Sequence, residues 1–457
     1  MIPATSTFQT ALATFRAGKL PAVITIAGYS RVFTKGLAAP ATGQYQWLVS
    51  VDDFATSIND LDGGANTATL GFAVQDRGGA ITADFPGFVF EGKLVTLQIG
   101  LPGLALTDFP VFFTGYIDSV ASNNGNTEYY FLCSDTSTKL AKVIYTEGDS
   151  GNPTDSSNPR TLNGNPMDML LEILGTEVGL TTSFYDVATI EAYRDTIFSG
   201  VNFLFHLTAP PAAADFIKNQ IMKPLGGYMW VNSAGKISVK FFYPLAGPVA
   251  VQTLGPSTWT TLPVAEQTDM VNTVLFQFDA DASGSSNYRS NDTESYGPSV
   301  AMYDTYGELT IASDGMRSAF QGFSTAHLVA RMVFMRYGFK NLKFDQNAPD
   351  AHWQACRLEP GDIVAVTHPN VPDRQAGVMG ITAKLFEVLD RTIKFNTGLC
   401  MVTLLDATYL SSFGLFLIAP TGEDDWTTAS SPDKAKYMFM SDDTGKYSDG
   451  ATAHILG

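Results

Sequence analysis

The chain has 457 residues, too many for one ordinary core, and predicts two to four domains. Its net charge of −17 argues against a general nucleic-acid binder, because phosphates would be repelled. Only 16% of residues are charged and 12% are aromatic, a balance that favours β-rich cores and interfaces. The acidity serves either solubility or a surface along which DNA passes without sticking.

The cysteines and the N-terminal segment argue against several classes of protein. Cys133, Cys356 and Cys400 are too few and too far apart for a disulfide framework or a four-cysteine metal site. The N-terminal segment contains neither a membrane-spanning run nor a classical secretion signal. It predicts a short amphipathic helix around Phe8 and Leu12, with Ser6 and Gln9 spaced as a capping box.

Residues 20–145 predict a β domain of the barrel or sandwich kind. Short apolar or alternating runs are separated by Gly, Asn and Asp clusters. The predicted strands are Ala22–Ala27, Gln46–Val51, Thr67–Val74, Leu94–Ile99, Val111–Ile117 and Tyr129–Ser134.

After a polar loop at Glu147–Asn165, the spacing of the apolar residues changes to that of a helix. Asn165 can cap a helix that begins at Pro166 and ends before Gly179, and Ala188–Phe198 predicts a weaker helix. Residues 211–241 then predict a packing module. Pro210 and Pro211 suit the first turn of its helix, which ends at Pro224 and a double glycine. Two strands follow, joined by the turn Asn232–Gly235.

A second β region follows from about Val264. Its predicted strands are Val271–Phe278, Ile363–Thr367, Gly380–Leu389 and Leu399–Leu405. Asp281–Pro298 predicts a polar loop, Ser324 a helix cap, and Glu359–Asp362 a type II turn. The tail from Ser411 predicts strands broken by acidic and Gly-rich turns.

No motif predicts catalysis or metal binding. Asp279–Gly284 resembles half of a calcium loop, but its twelfth position is Ser290 instead of Glu. His352 and Cys356 could share a helix face without a second ligand pair, and His368 stands alone beside a turn. Nucleophile-elbow and phosphate-loop patterns are missing. The abundance of Asp and Glu leaves open the alternative that a pair of carboxylates cleaves glycans.

Four stretches in order carry a resemblance to a known family. They are Asn165–Leu174 followed by Val178–Leu180, the module at residues 211–241, Asp269–Val274, and Leu358–Val364. Together they resemble segments of the hub proteins of phage tail tips and baseplates, and the likeness covers most of residues 85–410.

The resemblance implies an α+β, mainly β protein with two tail-tube-like β-barrel domains and an inserted domain. We expect a β-rich barrel domain at 1–146 with a short N-terminal helix, and an inserted helical and β-hairpin domain at 147–262. A second barrel domain with one helix is expected at 263–410, and a short β-rich distal region at 411–457.

The resemblance also implies a role and partners. The chain would form a homotrimeric ring in the virion, at the tail tip, after assembly in the host cytoplasm as a late protein. It would bind the distal tail protein, the tape measure protein, and the central fibre or receptor-binding protein. DNA would pass through its channel without specific binding during genome ejection, and the host envelope would be contacted only indirectly.

Some relatives carry a metal cluster or a lytic domain, but this chain lacks the cysteines and the length for either. We therefore expect no enzymatic activity, cofactor or metal. Trp426, Tyr437 and Phe439 in the tail are the expected partner interface. The alternative is a receptor-binding or carbohydrate-active tail protein that uses its aromatic and carboxylate groups on a sugar.

Overall fold

The computed structural model describes residues 1–15, 18–38, 40–146, 160–245, 248–260, 266–281, 288–344, 350–373 and 377–408. The helices are α1 Ser6–Thr14, α2 Pro166–Glu172, α3 Val187–Asp195, α4 Ala213–Phe216, α5 Gly297–Tyr303 and α6 Gly322–Tyr337. π-Helical turns at Ile173–Glu177 and Ile217–Met222 extend α2 and α4.

Strands dominate the described residues. In the first half they are β1 Ala22–Ile26, β2 Val32–Lys35, β3 Gln44–Tyr45, β4 Leu48–Val51, β5 Phe54–Asn59, β6 Gly64–Ala65, β7 Thr69–Gln75, β8 Leu94–Ile99, β9 Val111–Asn123, β10 Glu128–Asp135, β11 Arg160–Gly164 and β12 Phe203–Leu207. In the second half they are β13 Gly227–Val231, β14 Ile237–Phe241, β15 Gln252–Leu254, β16 Glu266–Gln267, β17 Thr273–Ala280, β18 Tyr288–Ser295, β19 Glu308–Ala312, β20 Leu342–Phe344, β21 Asp350–His352, β22 Ile363–Asp373, β23 Val378–Lys394 and β24 Leu399–Asp406.

The first large sheet has eight strands in the order β3-β2-β1-β8-β9-β10-β7-β4. Leu70, Phe72 and Val74 of β7 share its buried face, as their alternation predicts. The sheet curves so that β2 approaches β4, where Lys35 Nζ donates to the Val49 carbonyl at 2.5 Å. This curvature gives the first β region its barrel-like form.

The second large sheet takes a strand from the N-terminal part of the chain. Its main order is β15-β22-β23-β24-β20-β16, and β5 pairs antiparallel with β23, from Phe54 opposite Ile393 to Ser57 opposite Asp390. Buried residues of both sheets form one continuous core. Within it, the rings of Phe112 and Trp353 stack with centroids 5.5 Å apart. The two β regions therefore pack as one body.

A second core contains the inserted helices and the helix α6. It also contains the three-stranded sheet β18-β17-β19, whose strand β17 pairs antiparallel with β18 and parallel with β19. Phe241 of β14 lies in this core, where its ring meets Tyr193 at 4.6 Å and Phe198 at 4.7 Å. Part of the second predicted β region thus packs with the inserted helices.

Local signals account for several element ends. The Asn165 side chain accepts a hydrogen bond from Met167 N at 2.9 Å, which confirms the predicted cap. Gly226 has a left-handed φ of 64° where the module's helix ends. Gly361 has φ 86°, and Asp362 N donates to the Glu359 carbonyl at 3.1 Å, as a type II turn requires.

Other boundary predictions are wrong. Thr5 caps α1 in place of Ser6, and α6 begins at Gly322, before Ser324, without a side-chain cap. The two prolines precede the first turn of α4, whose N-cap is Ala212. The polar loop predicted at 281–298 contains the strand β18, in which exposed and half-buried side chains alternate along an edge of the sheet.

The predicted α+β, mainly β class is confirmed. The division of the chain at residues 146, 262 and 410 stays a prediction.

Candidate functional site

The predicted interface residues Trp426, Tyr437 and Phe439 lie outside the described residues. The structure does describe the two weak metal-binding candidates, the loop at Asp279 and the pair His352 and Cys356. Asp279 uses its carboxylate within the protein, because Oδ2 accepts from Ser290 Oγ at 2.5 Å and Oδ1 accepts from Ser318 N at 2.9 Å. His352 and Cys356 do not share a helix, since β21 ends at His352 and a 3₁₀ turn follows it.

His368 and Cys356 are buried groups. Burial lowers the pKa of His368, whose Nδ1 accepts from Asn370 N at 3.2 Å. Burial also raises the pKa of the Cys356 thiol well above its usual value, which keeps the sulfur protonated and unreactive. Both residues therefore serve packing.

Glu387 of β23 is fully buried and pairs with two cationic side chains. Its carboxylate accepts hydrogen bonds from the Tyr228 hydroxyl, Lys240 Nζ and Arg336 Nη1. Arg336 also donates through Nε to Asp60 Oδ2 at 2.7 Å. We call Asp60, Lys240, Arg336 and Glu387 the charge junction.

The charge junction contains two anions and two cations, so it is internally neutral. Burial alone would raise the pKa of Glu387, but Arg336 and Lys240 together with Tyr228 lower it to about 2. Burial, then the charge of Glu387, raises the pKa of Tyr228, which stays a hydrogen-bond donor. The Tyr337 hydroxyl plays the same part toward Asp60.

Each charge in the junction comes from a different element. Asp60 follows β5, which is paired with the strand that carries Glu387. Arg336 lies in the last turn of α6, and Lys240 lies on β14. The junction therefore ties the second large sheet to the inserted hairpin and to α6. The four residues of the junction are spread over 328 positions and form no motif, so the sequence alone does not predict the junction.

Two of the segments that carry the family resemblance meet beside the junction. The turn of the hairpin β13–β14 donates Ser233 N to Glu359 Oε1 at 2.7 Å. Lys240 Nζ also donates to the carbonyl of Gly361 at 2.8 Å. The Pro-Gly turn and the packing module, 126 residues apart at the first contact, thus form one interface.

A surface cleft of about 300 Å³ lies between β12, α4 and the end of β17. Two charged residues that line it are occupied by structural contacts. Asp314 accepts from the Tyr288 hydroxyl at 2.8 Å and from Gln220 Nε2 at 3.0 Å. Arg317 donates through Nη2 to the Leu204 carbonyl at 2.8 Å. These contacts hold the Asp314 carboxylate and the Arg317 guanidinium in place in the wall of the cleft.

Within the described part of the chain, no helix combines the length and apolar character needed to cross a membrane. One group of potential metal ligands lies on α6 and β18, and it contains Asp292, Glu294 and His327.

No family model and no curated protein sequence matches the chain. Solved structures similar to it include tail proteins of three bacteria. The 43 kDa tail protein of prophage MuSo2 from Shewanella oneidensis is 11% identical over 85% of this chain and 99% of its own, with a TM-score of 0.48. A tail protein from Neisseria meningitidis MC58 is 10% identical over 86% and 99%, with a TM-score of 0.44. Prophage tail protein gp18 from Listeria monocytogenes EGD-e is 9% identical over 85% and 94%, with a TM-score of 0.45.

Proposed function

We propose that this chain is a structural protein of a phage tail, and more specifically the hub at its tip. The observation that carries the proposal is the contact between two resemblance-bearing segments at the charge junction. Glu359 and Gly361 of the Pro-Gly turn hold the hairpin of the packing module there. The sequence motifs therefore coincide with the place where the elements are locked together.

The packing of the chain supports a role as a rigid structural component. The two large sheets share one core, and β5 crosses from the first β region into the second sheet. A shared core and a buried ion network oppose the relative domain motion that small polar interfaces permit. Such stiffness suits a component that transmits force along a tail, and the role we propose is not enzymatic.

In the hub proposal, three copies form a ring that joins the distal tail protein and the tape measure protein to the central fibre. The test is electron microscopy of intact particles with this chain labelled. We expect three copies at the tail tip around an open axis. Two, four or six copies, or a position away from the tip, would contradict the hub and leave a general tail role standing.

The net charge of −17 supports an acidic wall along the proposed channel. Such a wall repels phosphate, so DNA slides without the counterion release that drives binding. Reversal of several channel-facing acids to Lys should slow genome ejection more at low salt than at high salt. An ejection rate that is equally slow at both salt concentrations would argue against this mechanism.

Fibre docking is assigned to Trp426, Tyr437 and Phe439. β24 ends at Asp406, and Ala407 N donates to the Leu385 carbonyl, so a chain cut after Ala407 keeps the second sheet complete. We expect this truncation, and Ala at the three aromatic positions, to leave the ring assembled and the fibre lost. Ala at Thr427, Ser430 and Ser441 is the matched control. A truncated chain that fails to fold would place the tail in the core instead.

A further inference from the structure

A histidine and two carboxylates converge where α6 crosses the edge strand β18. Asp292 and Glu294 are two residues apart on β18, so their side chains lie on the same face of the strand. His327 Nε2 lies 2.8 Å from Asp292 Oδ2 and 3.0 Å from Glu294 Oε1. The three potential ligand atoms lie within 4.8 Å of one another.

The ion-pair partner of both carboxylates is a histidine, which is charged only when it is protonated. Among the described residues, neither Asp292 nor Glu294 forms a salt bridge with Lys or Arg. Asp292 Oδ2 is buried from solvent, yet it accepts no hydrogen bond from the part of the chain that is described. His327 Nε2 lies 2.8 Å from the same oxygen. A buried anionic oxygen in this state favours a cation beside it.

The distances fit ligands around one ion. Donor atoms bound at about 2.1 Å to a single metal ion lie roughly 3.0–3.4 Å apart, depending on the geometry. The two nitrogen–oxygen distances are within a few tenths of an ångström of that range. One imidazole with two carboxylates is a donor set that suits Zn²⁺ and its divalent transition-metal neighbours better than Ca²⁺ or Mg²⁺.

We propose that His327, Asp292 and Glu294 bind a divalent transition-metal ion that ties β18 to α6. β18 is an edge strand that pairs only with β17 among the described strands, so a metal bridge would hold its outer side. His327 is 47% exposed, which leaves room for water as the remaining ligand and a path for the ion. The site carries no part of the proposed tail role.

The test is calorimetric titration of the untagged, metal-stripped full chain with Zn²⁺, and with Mg²⁺ and Ca²⁺ for comparison. We expect one Zn²⁺ per chain at this site, and at least tenfold weaker binding in His327→Ala and in Asp292→Asn. His206→Ala is the matched control, since it removes a histidine elsewhere, and it should bind as the unmodified chain does.

Hydrogen exchange gives a second readout at the strand itself. Zn²⁺ should slow exchange in residues 288–295 of the unmodified chain and leave exchange there unchanged in the His327→Ala chain. Circular dichroism checks that each variant is folded, and Glu294→Gln replaces any variant that is not. The proposal is overturned if Zn²⁺ does not bind, if both substitutions bind it as tightly as the unmodified chain, or if only Mg²⁺ or Ca²⁺ binds.

Discussion

Replacing Glu387 by Gln tests whether the charge junction stabilises the fold. Glutamine keeps the shape of the side chain but removes its charge. Arg336 would then keep only Asp60 as a carboxylate partner, and Lys240 would lose the carboxylate with which it pairs. An amide N–H₂ group would also face donors that now point at a carboxylate oxygen.

Two routes give the magnitude. Removing one partner of a buried ion pair costs about 3–5 kcal/mol, and the lower end applies because the Lys240 side chain is 19% exposed and can turn toward water. The lowering of the Glu387 pKa from its usual 4.5 to about 2 corresponds to roughly 3 kcal/mol at about 1.4 kcal/mol per pH unit. We therefore expect Glu387→Gln to cost about 3 kcal/mol.

The assay is native-state hydrogen exchange of residues 378–394 and 322–337 at neutral pH, which measures local opening in a chain too large for two-state analysis. Glu91→Gln is the matched control, because Glu91 is exposed, and its effect should be within about 0.5 kcal/mol.

A double-mutant cycle with Lys240→Met separates charge from packing. The double variant leaves Arg336 paired with Asp60 in a neutral site, so its cost should be at least about 1 kcal/mol below the sum of the single costs. A Glu387→Gln cost under about 1 kcal/mol, or full additivity, would refute the reasoning.

Three further changes have expected outcomes. Because the folded-state pKa of Glu387 is depressed, its stabilisation is present above about pH 4.5 and is lost as the pH falls toward 2; calorimetry between pH 5 and 3 should show a smaller loss of stability in Glu387→Gln than in the unmodified chain. Gly307→Ala should cost about 2 kcal/mol or more in denaturant unfolding, since its Cβ would lie 1.9 Å from the Met270 carbonyl oxygen, whereas Gly255→Ala meets nothing within 4 Å and should be nearly neutral. Asn165→Ala should cost about 1–2 kcal/mol by the same measurement, because it loses the cap to Met167 N and the bond from Nδ2 to the Phe198 carbonyl; an unchanged stability would show that the cap is dispensable.

Local chemistry made much of the fold predictable. Asn165, Gly226 and Gly361 act through backbone geometry that only a few residue types permit, so their positions mark helix ends and turns. The strands β8 and β10 show clear apolar patterns and lie where those patterns predict. The prediction that Ser324 caps α6 was wrong, because the helix starts two residues earlier without a side-chain cap.

Strands that depend on partners were harder to predict. β18 is polar and alternates half-buried with exposed residues, which in sequence is the pattern of a loop as much as of an edge strand. β5 looks ordinary, and nothing local shows that it pairs with β23 more than 300 residues later. The charge junction and the His327 group were missed for the same reason, since their members are brought together only by the tertiary fold.

The buried charges of the junction stabilise the fold, whereas the charges outside the junction set the net charge of the chain. The charge junction uses two acids and two bases, so the remaining 43 acids and 26 bases carry the whole net charge of −17. Salt screens exposed charges strongly and buried pairs weakly. Variants of the junction should therefore weaken the fold almost equally at low and high salt, whereas reversals of acids that line the proposed channel should act on DNA passage mainly at low salt. If a junction variant lost its effect in high salt, its charges would be reachable by ions, and the junction could not be the buried ion network that joins the second large sheet to α6.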